Sequence, residues 1–229
     1  MNPATPTPTP TPTPTRISRT QAILGEGPVW HRDRLLWVDI EGRKVIDLDP
    51  STGTENIIEL SERIGCVWPC AHSESLLCGL QTGLAMLDPA SGATTPIENP
   101  EPDLPTTRFN DGKCDPLGRF WAGTMDMDEK GPLGSLYMLN HQHQLTRQWL
   151  GVTVSNGLAW DMSGKQPTFY YIDSPTRQVV AFDYEPDTGS LSNRRVAIAI
   201  PDGEGFPDGM TIDSEGALWI ALWQGWGVV

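Results

Sequence analysis

Past residue 20 the chain sustains no helical pattern of apolar positions. Apolar residues come instead in short runs rich in aromatic and β-branched side chains, punctuated by many of the 23 Gly and 21 Pro. Five runs align: LLWVDIEGRKVIDLDPSTG from Leu35, LLCGLQTGLAMLDPASG from Leu76, RFWAGTM with GSLYMLN from Arg119, FYYIDSPTRQVVAFDYEPDTG from Phe169, and ALWIALWQGWGVV from Ala217. Each reads as an apolar strand, a polar or Gly-containing turn and a second apolar strand. Three of them close on Asp-Pro or Glu-Pro followed by Gly, which is turn chemistry.

The central positions Trp37, Cys78, Trp121, Tyr171 and Trp219 are spaced by 41, 43, 50 and 48 residues. A further strand precedes the hairpins, as in GPVWH, NGLAW and DGMTID. This period predicts a four-stranded all-β unit that buries its faces only against its neighbours, the blade of a β-propeller. A β-sandwich also uses short strands but implies no constant period. Residues 20–229 accommodate about four and a half blades, with GWGVV ending in mid-hairpin. A closed ring of six needs roughly another blade and a half. The expectation is therefore a fragment or early-stopped product, or a chain that closes by pairing with another.

Ahead of the repeat, MNPATPTPTPTPTPTRISRT alternates Thr with Pro and has no apolar signal-peptide core. Pro at every second position removes backbone donors and favours extended conformers, so residues 1–20 are expected to be a disordered tail and 21–229 the propeller domain. The 16 basic and 29 acidic residues leave a net charge of −13, which disfavours nucleic acid and anionic membranes as partners. No segment approaches the roughly 18 continuous apolar residues of a membrane span. Cys66, Cys70, Cys78 and Cys114 form no C-x-x-C pair and have no His at zinc-finger spacing. They are expected to be free thiols in a soluble protein of a reducing compartment, the cytoplasm.

Polar residues recur at one place in the repeat. Glu26, Asn110 and Asp208 each stand eleven residues before the central position of their unit, and Asn156 stands fifteen before Tyr171; the second unit offers Val67. Each polar residue is followed at once by Gly or by Asp-Gly. Equivalent positions of a propeller lie on a circle about its axis, so these four side chains are expected to converge at one mouth of the channel. Asn-Gly and Asp-Gly pairs are individually turn residues. Four at one repeat position form an all-oxygen ring suited to Ca²⁺, Mg²⁺ or Mn²⁺ and tolerable for Zn²⁺ or Fe²⁺. Asp39, Asp173 and Asp183 lie within hairpins, where side chain to backbone bonding is the expected role. His31, His72, His141 and His143 are solitary or lie in polar turns, and no Ser-His-Asp or Cys-His arrangement is evident.

At GEGPVW, RFNDGKCDPLGRFWAGTM, SNGLAWD, YYIDS, FDYEPDTGSLSNRR and PDGMTIDSEGALW the chain resembles the senescence-marker-protein/gluconolactonase family, which includes regucalcin and bacterial sugar lactonases. The resemblance implies a six-bladed propeller with one divalent cation held by Glu26, Asn156 and Asp208. It also implies substrate contacts from Arg108, Asn110 and Asp128, with Glu129 as the less favoured acidic neighbour. The implied reaction is hydrolysis of a sugar lactone to the aldonic acid, Asp208 acting both as ligand and as the group that takes a proton from water. Alternatives are a non-catalytic calcium-binding propeller of regucalcin type, an inactive incomplete chain, and a phosphoester or organophosphate hydrolase.

Overall fold

The repeat folds as five antiparallel sheets, described for residues 14–229 in a computed structural model. The first contains β1 (Gly25–His31), β2 (Arg34–Asp39), β3 (Lys44–Asp49) and β4 (Thr54–Glu59). The second contains β5 (Ile64–Pro69), β6 (Leu76–Leu80), β7 (Leu84–Leu87) and β8 (Thr94–Glu98). The third contains β9 (Thr107–Cys114), β10 (Phe120–Asp126), β11 (Gly134–Leu139) and β12 (Leu145–Val152). The fourth contains β13 (Ser155–Asp161), β14 (Thr168–Asp173), β15 (Gln178–Glu185) and β16 (Ser190–Ala199), with a 3₁₀ turn, η1 (Ser174–Thr176), between β14 and β15. The fifth contains β17 (Phe206–Ile212), β18 (Leu218–Trp223) and β19 (Gly227–Val228).

Every sheet is a meander in sequence order, and all five central positions fall on a second strand. The expected four and a half blades are thus corrected to five, four of them complete. GWGVV does not stop in mid-hairpin: β19 pairs with β18, and Ile220 and Val229 exchange backbone hydrogen bonds of 2.8 and 2.9 Å. The Asp-Pro and Glu-Pro turns link third to fourth strands, where Gly53, Gly92 and Gly189 take φ of 70°, 73° and 77° and bond back to Asp49, Asp88 and Glu185.

Period-two alternation explains why the core is divided among the interfaces. Along β10, Phe120 and Ala122 pack back on Cys66 and Leu84 of the second sheet, while Trp121 packs forward on Leu158, Trp160 and Phe169 of the fourth. Separate apolar clusters join sheets one and two, two and three, three and four, and four and five. Among the described residues no such cluster joins the fifth sheet to the first. The first strands of successive sheets lie side by side, β1 on β5, β5 on β9, β9 on β13 and β13 on β17, so they are the innermost elements.

The expected tail lies outside the described residues up to residue 13. Within its remainder, Thr20 donates backbone and hydroxyl hydrogens to Glu55, and the Arg19 amide donates to Glu55 Oε1 at 2.6 Å, so residues 19 and 20 are tied to the first sheet. All four cysteines are free. No helix among the described residues is long and apolar enough to cross a membrane.

A buried ion pair staples the third sheet to the fourth. Asp115 Oδ2 accepts from Arg119 Nε at 2.7 Å, Trp121 Nε1 at 3.0 Å and the Tyr184 hydroxyl at 2.7 Å, and Oδ1 accepts from the Leu117 and Arg119 amides. Burial acts to raise the Asp115 carboxyl, but these donors together hold it below its ordinary value. The fifth sheet repeats the device: Asp213 accepts from Trp219 Nε1 at 2.9 Å and from the Glu215 and Ala217 amides. Trp121 is fully buried by the next sheet, whereas Trp219 is 48% exposed. Asp115→Ala leaves the Arg119 charge buried and unpaired, and is expected to destabilise the fold by about 3 to 5 kcal/mol. Asp213→Ala, whose partners are open to solvent, is expected to lower the thermal midpoint much less; calorimetric melting of both variants checks the difference.

Candidate functional site at the axial mouth

The site residues sit where the innermost strands break register. Pairing of each first strand with its neighbour shifts between Glu26 and Val29 in β1, between Ile64 and Cys66 in β5, between Asn156 and Leu158 in β13, and between Pro207 and Met210 in β17. In β9 the shift falls between Phe109 and Gly112, the partners of Thr124 and Ala122. A bulge re-aims side chains that a regular ladder would bury between sheets. The loops entering the strands are held by carboxylates at the ends of second strands. Asp39 accepts from the Ile23, Leu24 and Gly42 amides at 3.0–3.1 Å, two or three residues from Glu26 on the β1 side. Asp173 accepts from the Thr153 and Val154 amides, just ahead of Asn156. These two match the backbone-bonding role read from the sequence. Asp183 instead holds side chains, Asn193 Nδ2 at 2.6 Å and Arg195 Nη1 at 2.7 Å.

Five of the expected residues are joined in one neighbourhood. Arg108, Asn110 and Asn156 are buried and hydrogen bonded in series: Arg108 Nη1 donates to Asn110 Oδ1 at 2.6 Å, and Asn110 Nδ2 donates to Asn156 Oδ1 at 3.1 Å and to the Ser155 carbonyl at 2.8 Å. Glu26 feels the charges of Asp208, Asp111 and Arg108. Asp128 is not brought to this group, because its carboxylate is exposed and paired with Lys130 at 2.7 Å; the charge from that turn that reaches Arg108 is Glu129.

Desolvation, then repulsion from Asp208 and Asp111, pushes the Glu26 carboxyl from 4.5 up to about 8, and burial followed by Asp111 raises Asp208 as well. Asp111 is itself raised by burial, with Lys113 opposing. Lys113 reaches across to the fifth sheet and donates to the Met210 carbonyl at 2.9 Å, while burial lowers its ammonium. Glu26, Asp111 and Asp208 are poorly solvated, and the charges of Asp111 and Asp208 act on Glu26 with Arg108 opposing them, which leaves the neighbourhood short of positive charge. That deficit and the oxygen-only donor set fit a hard divalent cation. Only Glu26 and Asp208 of the expected ligand set are carboxylates, and among the described residues no group of three or more His, Cys, Asp or Glu side chains is arranged around a metal position. A cavity of about 230 Å³ between the second and third sheets shares Arg108 with the site and is otherwise lined by residues such as Gln81, Glu101, Thr107 and Thr124.

Sequence reasoning passed over Asp111 and Lys113 as site residues. The available signal was two opposite charges two apart on an innermost strand, which places both on one face. It also passed over Gly65 and Ser174, whose roles are visible only against neighbouring sheets.

The raised carboxyls carry a pH signature. A group whose folded value is above its unfolded one binds protons in the fold that the unfolded chain has released, so its contribution diminishes as pH rises from 4.5 to about 8 for Glu26. The thermal midpoint of cation-free protein is therefore expected to fall over that window, and Glu26→Gln to flatten the fall, by roughly 2 to 4 °C for each kcal/mol of repulsion relieved. Melting curves at a series of pH values with chelator present check this.

The sequence profile described as SMP-30/Gluconolactonase/LRE-like region matches residues 24–229. Zebrafish (Danio rerio) regucalcin is 41% identical over 206 residues, 88% of this chain and 68% of the relative. The Bacillus subtilis (strain 168) protein YvrE, named for a sugar lactone lactonase activity, is 37% identical over 212 residues, 92% of this chain and 72% of its own. Among solved structures, a luciferin-regenerating enzyme superposes with a TM-score of 0.83 at 36% identity, covering 90% of this chain and 71% of that one. A regucalcin of Agrobacterium tumefaciens str. C58, described as a calcium-binding protein, superposes with a TM-score of 0.83 at 27% identity, covering 90% and 70%. The axial arrangement, the five-sheet fold and these likenesses agree, and the chain belongs to the SMP-30/gluconolactonase/LRE-like family.

Proposed function

We propose that this protein opens the ring of a sugar lactone by hydrolysis, using one divalent cation held by Glu26, Asn156 and Asp208. The observation that carries the reading is that the Asp208 charge reaches the buried Glu26, both carboxyls being raised, while Arg108, whose charge also acts on Glu26, is hydrogen bonded to the buried Asn110–Asn156 amide pair. A bound divalent cation supplies Lewis-acid polarisation of a lactone carbonyl and charge for the oxyanion that develops on it. The finer architecture in this reading is the six-bladed ring, to which the five sheets contribute.

The chain's own groups account for the remaining steps. Arg108 presents a buried guanidinium whose Nη1 already serves Asn110 and the Phe109 carbonyl, leaving its other donors for sugar hydroxyls. Asn110 keeps its amide in register through the Ser155 carbonyl and so fixes the edge of the substrate pocket. Asp208 takes a proton from the attacking water and returns it to the ring oxygen as the carbon–oxygen bond breaks, the carboxylate acting first as general base and then as general acid. The acidic contact to a sugar hydroxyl falls to Glu129, whose charge reaches Arg108, rather than to Asp128, which is paired with Lys130. Lys113 offsets the charge of the buried Asp111 on the same strand.

A second reading, cation binding without turnover, is favoured by the relatives named regucalcin and by the bacterial one described as calcium-binding. The lactonase reading predicts ring opening of an aldonolactone above background by the full chain supplied with a divalent cation, measured by pH-stat, and its loss with chelator. Asp208→Asn is expected to lower kcat by roughly 100-fold or more. Cation affinity without any ring opening by wild-type protein overturns the lactonase reading in favour of the second.

A further inference from the structure

The two amides at the mouth are read in one direction only. At one end stands the Arg108 guanidinium, which can only donate; at the other stands the Pro207 carbonyl, which can only accept. Arg108 Nη1 donates to Asn110 Oδ1 at 2.6 Å, Asn110 Nδ2 to Asn156 Oδ1 at 3.1 Å, Asn156 Nδ2 to Ser174 Oγ at 2.8 Å, and Ser174 Oγ to the Pro207 carbonyl at 2.6 Å. Ser174 has a single proton and commits it to Pro207, so toward Asn156 it can only accept. It therefore draws the Asn156 NH₂ group to itself and turns the amide oxygen to the opposite side.

We propose that Ser174 is a positioning residue of the cation site, orienting the Asn156 oxygen toward the axis and anchoring the strand that carries Asp208; this rests on the cation reading above. Ser174 opens η1 in the fourth sheet, and Pro207 immediately precedes Asp208 in the fifth, so one hydroxyl ties both ligand-bearing strands. Ser174 is 8% exposed, and its hydroxyl is hydrogen bonded to Asn156 Nδ2 and the Pro207 carbonyl. Without it, the Asn156 amide loses one of the two partners that distinguish its ends, and only the 3.1 Å bond from Asn110 Nδ2 opposes a flip. A flipped amide presents NH₂ to the cation, and the Asn110–Asn156 bond then sets donor against donor.

Calorimetric titration of the full chain with CaCl₂ and separately with MnCl₂ tests this, alongside melting of the cation-free protein. Ser174→Ala is expected to weaken cation binding by about tenfold or more, the effect of losing a group that orients a ligand. Ser174→Thr, which keeps the hydroxyl, is expected to stay within about threefold of wild type by the same reasoning. If the alanine variant does not fold, Ser174→Cys replaces it, since a thiol is a weak donor and acceptor of similar size and is expected to weaken binding several-fold. Undiminished affinity in the alanine or cysteine variant, or weakening by threonine as large as by alanine, overturns the role of the hydroxyl. Wild-type protein that binds neither ion overturns the cation reading and the inference with it.

Discussion

A Cβ atom at Gly65 would stand 2.3 Å from the Phe109 carbonyl oxygen and 2.5 Å from that of Asn110, and one at Gly157 would stand 2.8 Å from the Asp208 carbonyl oxygen. No side chain fits either place. The innermost strands of the second and third sheets, and of the fourth and fifth, can approach that closely only because these two positions lack one. The polar mouth depends on this approach. Ser174 reaches the Pro207 carbonyl across the second of these gaps, and Asn110 meets Asn156 across the gap between the third and fourth sheets, where a Cβ at Gly123 would stand 1.8 Å from Ser155 Oγ.

Close approach also concentrates charge. Glu26, Asp111 and Asp208 are drawn into a neighbourhood where water solvates them poorly, and each carboxyl is raised in consequence. Lys113 offsets part of this by reaching from β9 to the backbone of β17. The remaining imbalance is a binding opportunity, because a divalent cation removes repulsion that the fold otherwise sustains. Rigidity for that purpose comes from the interfaces behind the mouth. Asp115 and Arg119 lock the third sheet on the fourth, around Trp121, Trp160 and Phe169, whose ring centroids lie 4.8–5.9 Å apart.

The repeat was legible because it is a one-dimensional signal: alternation of period two within strands, and aromatic or apolar centres about every 41 to 50 residues. Register symmetry then placed Glu26, Asn110, Asn156 and Asp208 on innermost strands without any coordinates. Two readings went astray where short-range pattern competes with pairing. GWGVV looks like an interrupted hairpin, yet two residues suffice for a third strand once Ile220 bonds Val229. Asp128 follows GTM at a suggestive spacing, yet a neighbouring Lys130 captures its carboxylate.

The sequence by itself determined the all-β repeat, the ring position of the polar residues and their oxygen chemistry, since each follows from residue type and spacing along one chain. Only the tertiary structure decided which of those residues touch, that Asp111 and Lys113 belong with them, and that a single Ser174 hydroxyl orders the amides. These are relations between sheets: burial, the direction of a hydrogen bond and the absence of a Cβ acquire meaning only when strands far apart in sequence come within a few ångströms.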